Sequence, residues 1–303
     1  MKRLMALIIL CAALSPHAFG QSASANLVTG MGYSYPPVSV APGQLITVFL
    51  AGNVQGTIGV TVQNIVAPVL EVLPPSGCSA PTICSSVTGI TIQIPYELNP
   101  GCGFINPVCL VVVLTQMVVT VDGVAGTPVD LTPLADQVHI LTACDTVVPG
   151  ASGTVPYDAL PCQPLVTHAN GSLVSAGSPA QGGEEIVAYA VGLGLTTPPV
   201  KTGQAATAAT PTSETFVLDF NFRSNALATR PLQLAPQPLP TSSFPLYSGL
   251  VPGYVGLYQI NFVVLRPPVG VPACSGTVQS NLTVSVGGQI SFDGAGICVA
   301  PGE

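Results

Sequence analysis

The chain has 303 residues but only 19 charged side chains, six Lys and Arg against 13 Asp and Glu, with 31 prolines, 32 glycines, no tryptophan and a formal charge of −7. That balance excludes the basic footprint a nucleic-acid-binding surface needs. A chain that is 48% apolar has surface enough to offset its ordering entropy, which excludes disorder, and glycine without a three-residue period excludes collagen.

Taken from the start, Met1-Lys2-Arg3, an apolar run over residues 4–14 and the small-residue pattern Ala18-Phe19-Gly20 have the parts of a secretory signal peptide. Residues 1–20 are therefore expected to be removed, and the mature chain to be secreted, periplasmic or at the cell surface. Cys11 follows Leu10, which is too large for a lipoprotein cleavage site. Cleavage leaves Lys201, Arg223, Arg230 and Arg266 against all 13 acidic residues, a formal charge of −9. Residues 4–70 carry no charge at all.

Eight cysteines remain after cleavage: Cys78, Cys84, Cys102, Cys109, Cys144, Cys162, Cys274 and Cys298. An even number in an exported chain points to four disulfides, and the cysteines fall along the sequence as close pairs, so neighbour pairing is the simplest expectation. Five residues separate Cys78 from Cys84 and six separate Cys102 from Cys109, wider than the two to four of structural zinc sites. No metal or other cofactor is expected. No membrane segment follows the signal, because the most apolar run, residues 110–121, is interrupted by Thr115, Gln116 and Thr120 and is shorter than the ~20 residues a helix needs to span.

The strongest internal signal is a duplication. Pro42-Gly43-Gln44-Leu45-Ile46-Thr47-Val48 aligns with Gly182-Gly183-Glu184-Glu185-Ile186-Val187-Ala188 at an offset of 140. Aligning the Gln-Ile pairs of residues 93–94 and 259–260 gives an offset of 166, and Val119-Thr120-Val121 aligns with Val284-Ser285-Val286 at 165. Ile90, Ile92 and Ile94 alternate with Thr91, Gln93 and Pro95, placing the isoleucines on one face of a half-buried strand. Asp122-Gly123 and Gly287-Gly288 read as two-residue hairpin turns with positive φ. Short strands between Gly/Pro turns, in units of about 100 residues, are the pattern of immunoglobulin-like sandwiches. The predicted fold is all-β: two tandem immunoglobulin-like β-sandwich domains, residues 26–142 and 164–300, joined by a Pro-, Gly- and Ser-rich linker, residues 143–163, that Cys144 and Cys162 bracket.

The runs Gly253-Tyr254-Val255-Gly256-Leu257-Tyr258-Gln259-Ile260-Asn261, Ala188-Tyr189-Ala190-Val191-Gly192-Leu193-Gly194 and Asn170-Gly171-Ser172 resemble the uncharacterised C-terminal domain family of secreted Solibacter-type acidobacterial proteins. Ala41-Pro42-Gly43 and Ile94-Pro95-Tyr96 resemble the first part of the same pattern. The resemblance implies an exported, immunoglobulin-like architecture of IPT/TIG type and carries over no activity and no catalytic residue. The cysteine-bearing loops depart from it.

Candidate chemistry is sparse. His139 and His168 are the histidines left after cleavage; His139 reads either as outward-facing beside Asp136 or as a hydrogen-bonded core residue. A Ser-His-Asp set would have to assemble in space, and no G-x-S-x-G elbow is present. Glu184 and Glu185 are strand neighbours and point to opposite faces, so they are no glycosidase pair. Asp122 and Asp293 each precede glycine and read as turn residues rather than calcium ligands. Gly192-Leu193-Gly194 lacks the third glycine and the helix of a nucleotide loop. Tyr33 and Tyr35, spaced to place both rings on one side of an extended segment, are the candidate binding surface, and Phe216, Phe220 and Phe222 read as core. Asn170-Gly171-Ser172 and Asn281-Leu282-Thr283 are formal glycosylation sequons. The expected function is a non-catalytic structural or adhesive module. The alternative is a module binding polysaccharide or a cell-surface protein, and an exported hydrolase ranks third.

Overall fold

The computed structural model of the chain describes residues 25–29, 33–34, 38–73, 87–99, 115–145, 162–232 and 241–302. Every regular element among them is a strand. The first half supplies β1 (Ala25–Thr29), β2 (Tyr33–Ser34), β3 (Val38–Val40), β4 (Leu45–Ala51), β5 (Ile58–Val62), β6 (Ile65–Ala67), β7 (Val69–Leu73), β8 (Val87–Gln93), β9 (Thr115–Val121), β10 (Val124–Ala125) and β11 (Val129–Pro133). The second supplies β12 (His139–Ile140), β13 (Val166–His168), β14 (Glu185–Val191), β15 (Thr210–Pro211), β16 (Val217–Asn221), β17 (Ser242–Ser243), β18 (Tyr247–Leu250), β19 (Tyr258–Val263), β20 (Leu282–Gly287) and β21 (Phe292–Ile297).

These strands form four sheets, ordered β2-β1-β4-β8-β7, β3-β11-β9-β5-β6, β12-β14-β19-β18-β15 and β17-β16-β20-β21. Alternation along each strand delivers one apolar face per sheet, and two such faces must cover each other. Ile46, Val48 and Leu50 of β4 and Ile90 and Ile92 of β8 meet Val60, Val62, Met117, Val119 and Leu131 of the second sheet in one core. Ile186, Ala188, Ile260 and Phe262 of the third sheet meet Leu218, Phe220, Val284 and Val286 of the fourth, and Phe216 just before it, in another. Phe220 and Phe262 pack edge to face there, with ring centroids 6.0 Å apart, an arrangement that aligns ring edge with ring face. The fold is thus all-β with sandwich-like pairs of sheets.

The register revises the sequence alignment at one place. Ile46 pairs with Ile92 and Ile186 with Phe262, while Gly43 and Gly183 donate to the carbonyls of Ile94 and Val264. The structural offset of this strand is therefore 170, four residues from the one that aligned the Gln-Ile pairs. A shift of four keeps every side chain on its own face, so the hydrophobic pattern is blind to it. The two predicted hairpin turns also part company. Asp122 and Gly123 have φ of 48° and 80° between paired Val121 and Val124, as a type I′ turn requires. Gly287 instead pairs with Phe292 inside the sheet, and Gly288 N–H closes a longer loop onto Ser291 O.

The non-isoleucine face of β8 is covered too. Thr91 and Gln93 are as buried as the isoleucines, because Gln93 Oε1 accepts Gly203 N–H from the second half at 2.7 Å and Thr91 meets Thr47, hydroxyl to hydroxyl, at 3.3 Å. Tyr96 reaches into the second core, and Leu45, Leu141 and Val191 form a small cluster of their own where the halves meet. His139–Ile140, grouped on sequence with the first half, pairs with β14.

Candidate functional site

Residues 134–145 carry the chain from the first pair of sheets to the second, and Asp136 and His139 on them, the latter beside Asp145, meet Glu214 and Asp293 of the second. Leu134 N–H still donates to Val40 O. Two residues on, Asp136 is fully buried and accepts Ile290 N–H at 2.9 Å, Ser291 N–H at 2.7 Å and the Ser291 hydroxyl at 2.6 Å. Gln137 N–H bonds Gly192 O, Val138 N–H the Ser291 hydroxyl and Ile140 N–H the Asp293 carboxylate. Glycine permits this close passage: a Cβ on Gly192 would lie 2.0 Å from Gln137 O, one on Gly194 2.4 Å from Ala135 O, and one on Gly288 2.5 Å from the Asp136 carboxylate. That is the structural use of Gly192-Leu193-Gly194.

Glu214 lies against Asp136 within hydrogen-bonding reach, and its buried Oε2 receives no donor. Burial, followed by the charge of Asp136 and the hydrogen bond to it, pushes the Glu214 carboxyl up to about 7. Like charges so placed favour retention of a proton.

His139 does not sit beside Asp136. Its Nε2 is 2.9 Å from Asp145 Oδ1 and its Nδ1 3.1 Å from Asp293 Oδ2. Burial lowers its pKa, but the hydrogen bonds and charges of the two carboxylates outweigh that and raise it to about 9. Burial raises the Asp145 carboxyl, and the bond to His139 with the donors of Thr142 carries it below its usual range overall. Asp293, read as a turn residue on sequence, is a strand residue of β21 paired with Val286. An imidazolium with both nitrogens donating is a tie, with no lone pair to act as a base.

His168 Nδ1 is 2.6 Å from Glu184 Oε1, and Nε2 is 3.1 Å from Ser178 O and 3.2 Å from Ser178 Oγ. Ser178, His168 and Glu184 have the outline of a serine triad. The Ser178 carbonyl can only accept, so Nε2 carries a hydrogen and does not take one from the hydroxyl. The Glu184 hydrogen bond raises the His168 pKa in the same sense. The set holds the turn at residues 175–178, and Glu184 also accepts Gln181 N–H. Glu185 faces the other way, accepting Asn261 Nδ2 at 3.2 Å.

Two disulfides are present among the described residues, Cys144–Cys162 and Cys274–Cys298. Cys162 and Cys298 both line a groove of about 600 Å³, with Ser175, Gly177, Asn225 and Gln279 among its other walls. Asn225, at φ 52°, shapes one wall by accepting Gln279 and Ser280 N–H and donating to Thr277 O. Cys78, Cys84, Cys102, Cys109, Tyr35 and the ring of Tyr33 lie outside the described residues. Among the described residues no group of three or more His, Cys, Asp and Glu is placed to hold a metal ion, and no helix is long and apolar enough to cross a membrane. Sequence reasoning did not single out Glu214, Ser291 or the groove; an acidic residue in so charge-poor a chain was the available signal for the first.

No protein-family model matches the chain, and neither does any curated protein. Among solved structures, pullulanase type I from Bacillus subtilis in complex with maltose is similar over 90% of this chain and 24% of that one, at 8% identity and a TM-score of 0.19. The chain thus spans about a quarter of that protein, and a likeness this distant carries no argument about fold or function.

Proposed function

We propose that the chain is an exported, non-catalytic structural or adhesive module, built from two immunoglobulin-like units of IPT/TIG type as the Solibacter-type resemblance implies. The observation that carries this reading is the connector. Residues 135–141 are tied to the second half by backbone bonds and by the buried Asp136 carboxylate, while Tyr96 and Gln93 dock in from the first. Such investment in a fixed junction suits a spacer or display unit, since units joined by a loose linker move independently by default. The involvement of both histidines in ties supports the same reading. The test is to incubate the labelled mature chain with native cell surface and, separately, with a hydrolase substrate panel. Retention unaffected by His168→Asn is expected; a turnover abolished by His139→Asn or His168→Asn overturns the proposal.

The groove between Cys162 and Cys298 favours a second reading, a module that binds polysaccharide or a surface protein. Its walls offer neutral amides and hydroxyls beside small apolar side chains, the mixture that pockets use to orient uncharged ligands. A glycan and surface-protein array on which nothing is retained overturns this reading and leaves the first standing.

A further inference from the structure

The connector has an electrostatic peculiarity at each end. At one end two carboxyl groups, Asp136 and Glu214, face each other. Asp136 already accepts three donors, whereas the buried Glu214 Oε2 has none, so loss of the Glu214 proton leaves a buried carboxylate without a donor beside a second carboxylate. At the other end His139 bridges Asp145 and Asp293. A neutral imidazole has one N–H and leaves one of those carboxylates without its donor; the imidazolium serves both. Both ends grip the same element, through Ile290 and Ser291 at one and Asp293 at the other. Few other charges can substitute. Between Arg3 and Lys201 the sequence has no Lys or Arg, only His17, His139 and His168. Arg230, which donates to Ile290 O and lies over the Phe292 ring at 5.1 Å, is the cation on the hairpin.

We infer that residues 136–145 form a proton-operated latch between the two pairs of sheets, closed when both protons are bound and released from the 290–293 hairpin in two steps as they leave. This goes beyond the structural role proposed above, because it makes the junction conditional on pH. The groups facing it are Asp136, Glu214, Asp145, Asp293, His139 and Arg230, and the signs at both ends agree. Glu214, held up to about 7 by burial and Asp136, contributes stability that is complete below its ordinary 4.5 and is lost as pH rises through about 7. His139, at about 9 against an ordinary 6.5, contributes stability complete below 6.5 and lost as pH rises through about 9. The Asp136 end lets go first, the His139 end second.

Amide hydrogen exchange on the full mature chain, corrected for intrinsic pH dependence, tests this from pH 5 to pH 10. Protection of the Ile290 and Ser291 amides, which donate to Asp136, is expected to fall between pH 5 and 7, by about tenfold for each unit that a single proton spans, and to level off above about 7. Protection of the Ile140 amide, which donates to Asp293, is expected to fall between about pH 6.5 and 9 and to level off above, while Ile260 in the core keeps its own. Glu214→Gln is expected to remove the first step and keep the second. Flat protection at Ile290, Ser291 and Ile140 across the range in the unsubstituted chain overturns the latch, as does a first step that survives Glu214→Gln.

Discussion

Tyr96 of the first half and Tyr258 of the second meet hydroxyl to hydroxyl at 3.3 Å inside the protein, and Tyr258 passes its own hydrogen to Gly194 O at 2.5 Å. Burial, the largest influence on each, raises both phenols, with Tyr258 well above its usual range. The pair stays neutral and acts as a hydrogen-bond chain from one half through the other to the loop beside the connector. Tyr258→Phe strands the buried Gly194 carbonyl and is expected to cost about 1–3 kcal/mol, whereas Tyr96→Phe leaves the Tyr258–Gly194 bond standing and should cost only about 0.5–1.5 kcal/mol. Urea unfolding of the two variants gives the comparison; equal losses would show that the chain does not run through Tyr258 in the order described.

Most of the core was legible as period-two alternation. Ile90 and Ile92, and Phe216 with Phe220, are buried where alternation placed them. The connector was not legible, for physical reasons. Asp136 and Glu214 are 78 residues apart in sequence, and no local pattern marks a pair that is brought together only by the packing of the second pair of sheets. Gly192, Gly194 and Gly288 read as turns or as a failed nucleotide loop, because the sequence does not reveal which backbone passes over a glycine. His139 faces Asp293, 154 residues away, and the nearer Asp136 faces elsewhere.

Gly183 and Gly192 separate two reasons for glycine. Both have positive φ, 89° and 77°, but a Cβ on Gly183 meets nothing within 4 Å while one on Gly192 would lie 2.0 Å from Gln137 O. Gly183→Ala is expected to cost about 1–2 kcal/mol for the left-handed backbone alone. Gly192→Ala should cost a further ~1–3 kcal/mol, since a backbone carbonyl and not a flexible side chain must move. Thermal unfolding of both variants measures the difference, and equal costs would argue against the tight passage of the connector.

The two disulfides of the second half close segments of 18 and 24 residues. Chain-entropy reasoning gives each about 3 kcal/mol. Peptide mapping without reduction should recover Cys144 joined to Cys162 and Cys274 joined to Cys298. The double substitution Cys274→Ser with Cys298→Ser should lower the urea midpoint without changing the sheet content seen by far-ultraviolet circular dichroism. Recovery of a peptide joining Cys162 to Cys298, the two cysteines that share the groove, would contradict the arrangement.

Asn170 and Asn281 begin the two formal sequons, in opposite settings. Asn170 lies in an exposed turn and accepts the Ser172 N–H and hydroxyl. Asn281 is fully buried; its amide donates to Pro272 O and Val299 O, and its carbonyl accepts Val299 N–H. It thereby pins the segment after β21, on the far side of Cys298, to the start of β20. Truncation to Asn281→Ala leaves three backbone groups without partners, and at roughly 1–3 kcal/mol for each one left unsatisfied the loss should be several times that of Asn170→Ala, an exposed change worth about 0.5 kcal/mol. In a host that attaches glycans to such motifs, intact-mass measurement of the folded chain should find one at Asn170 and none at Asn281. A glycan on Asn281 would require β20 and the segment after β21 to be apart when the modifying enzyme acts, which places their docking late in folding.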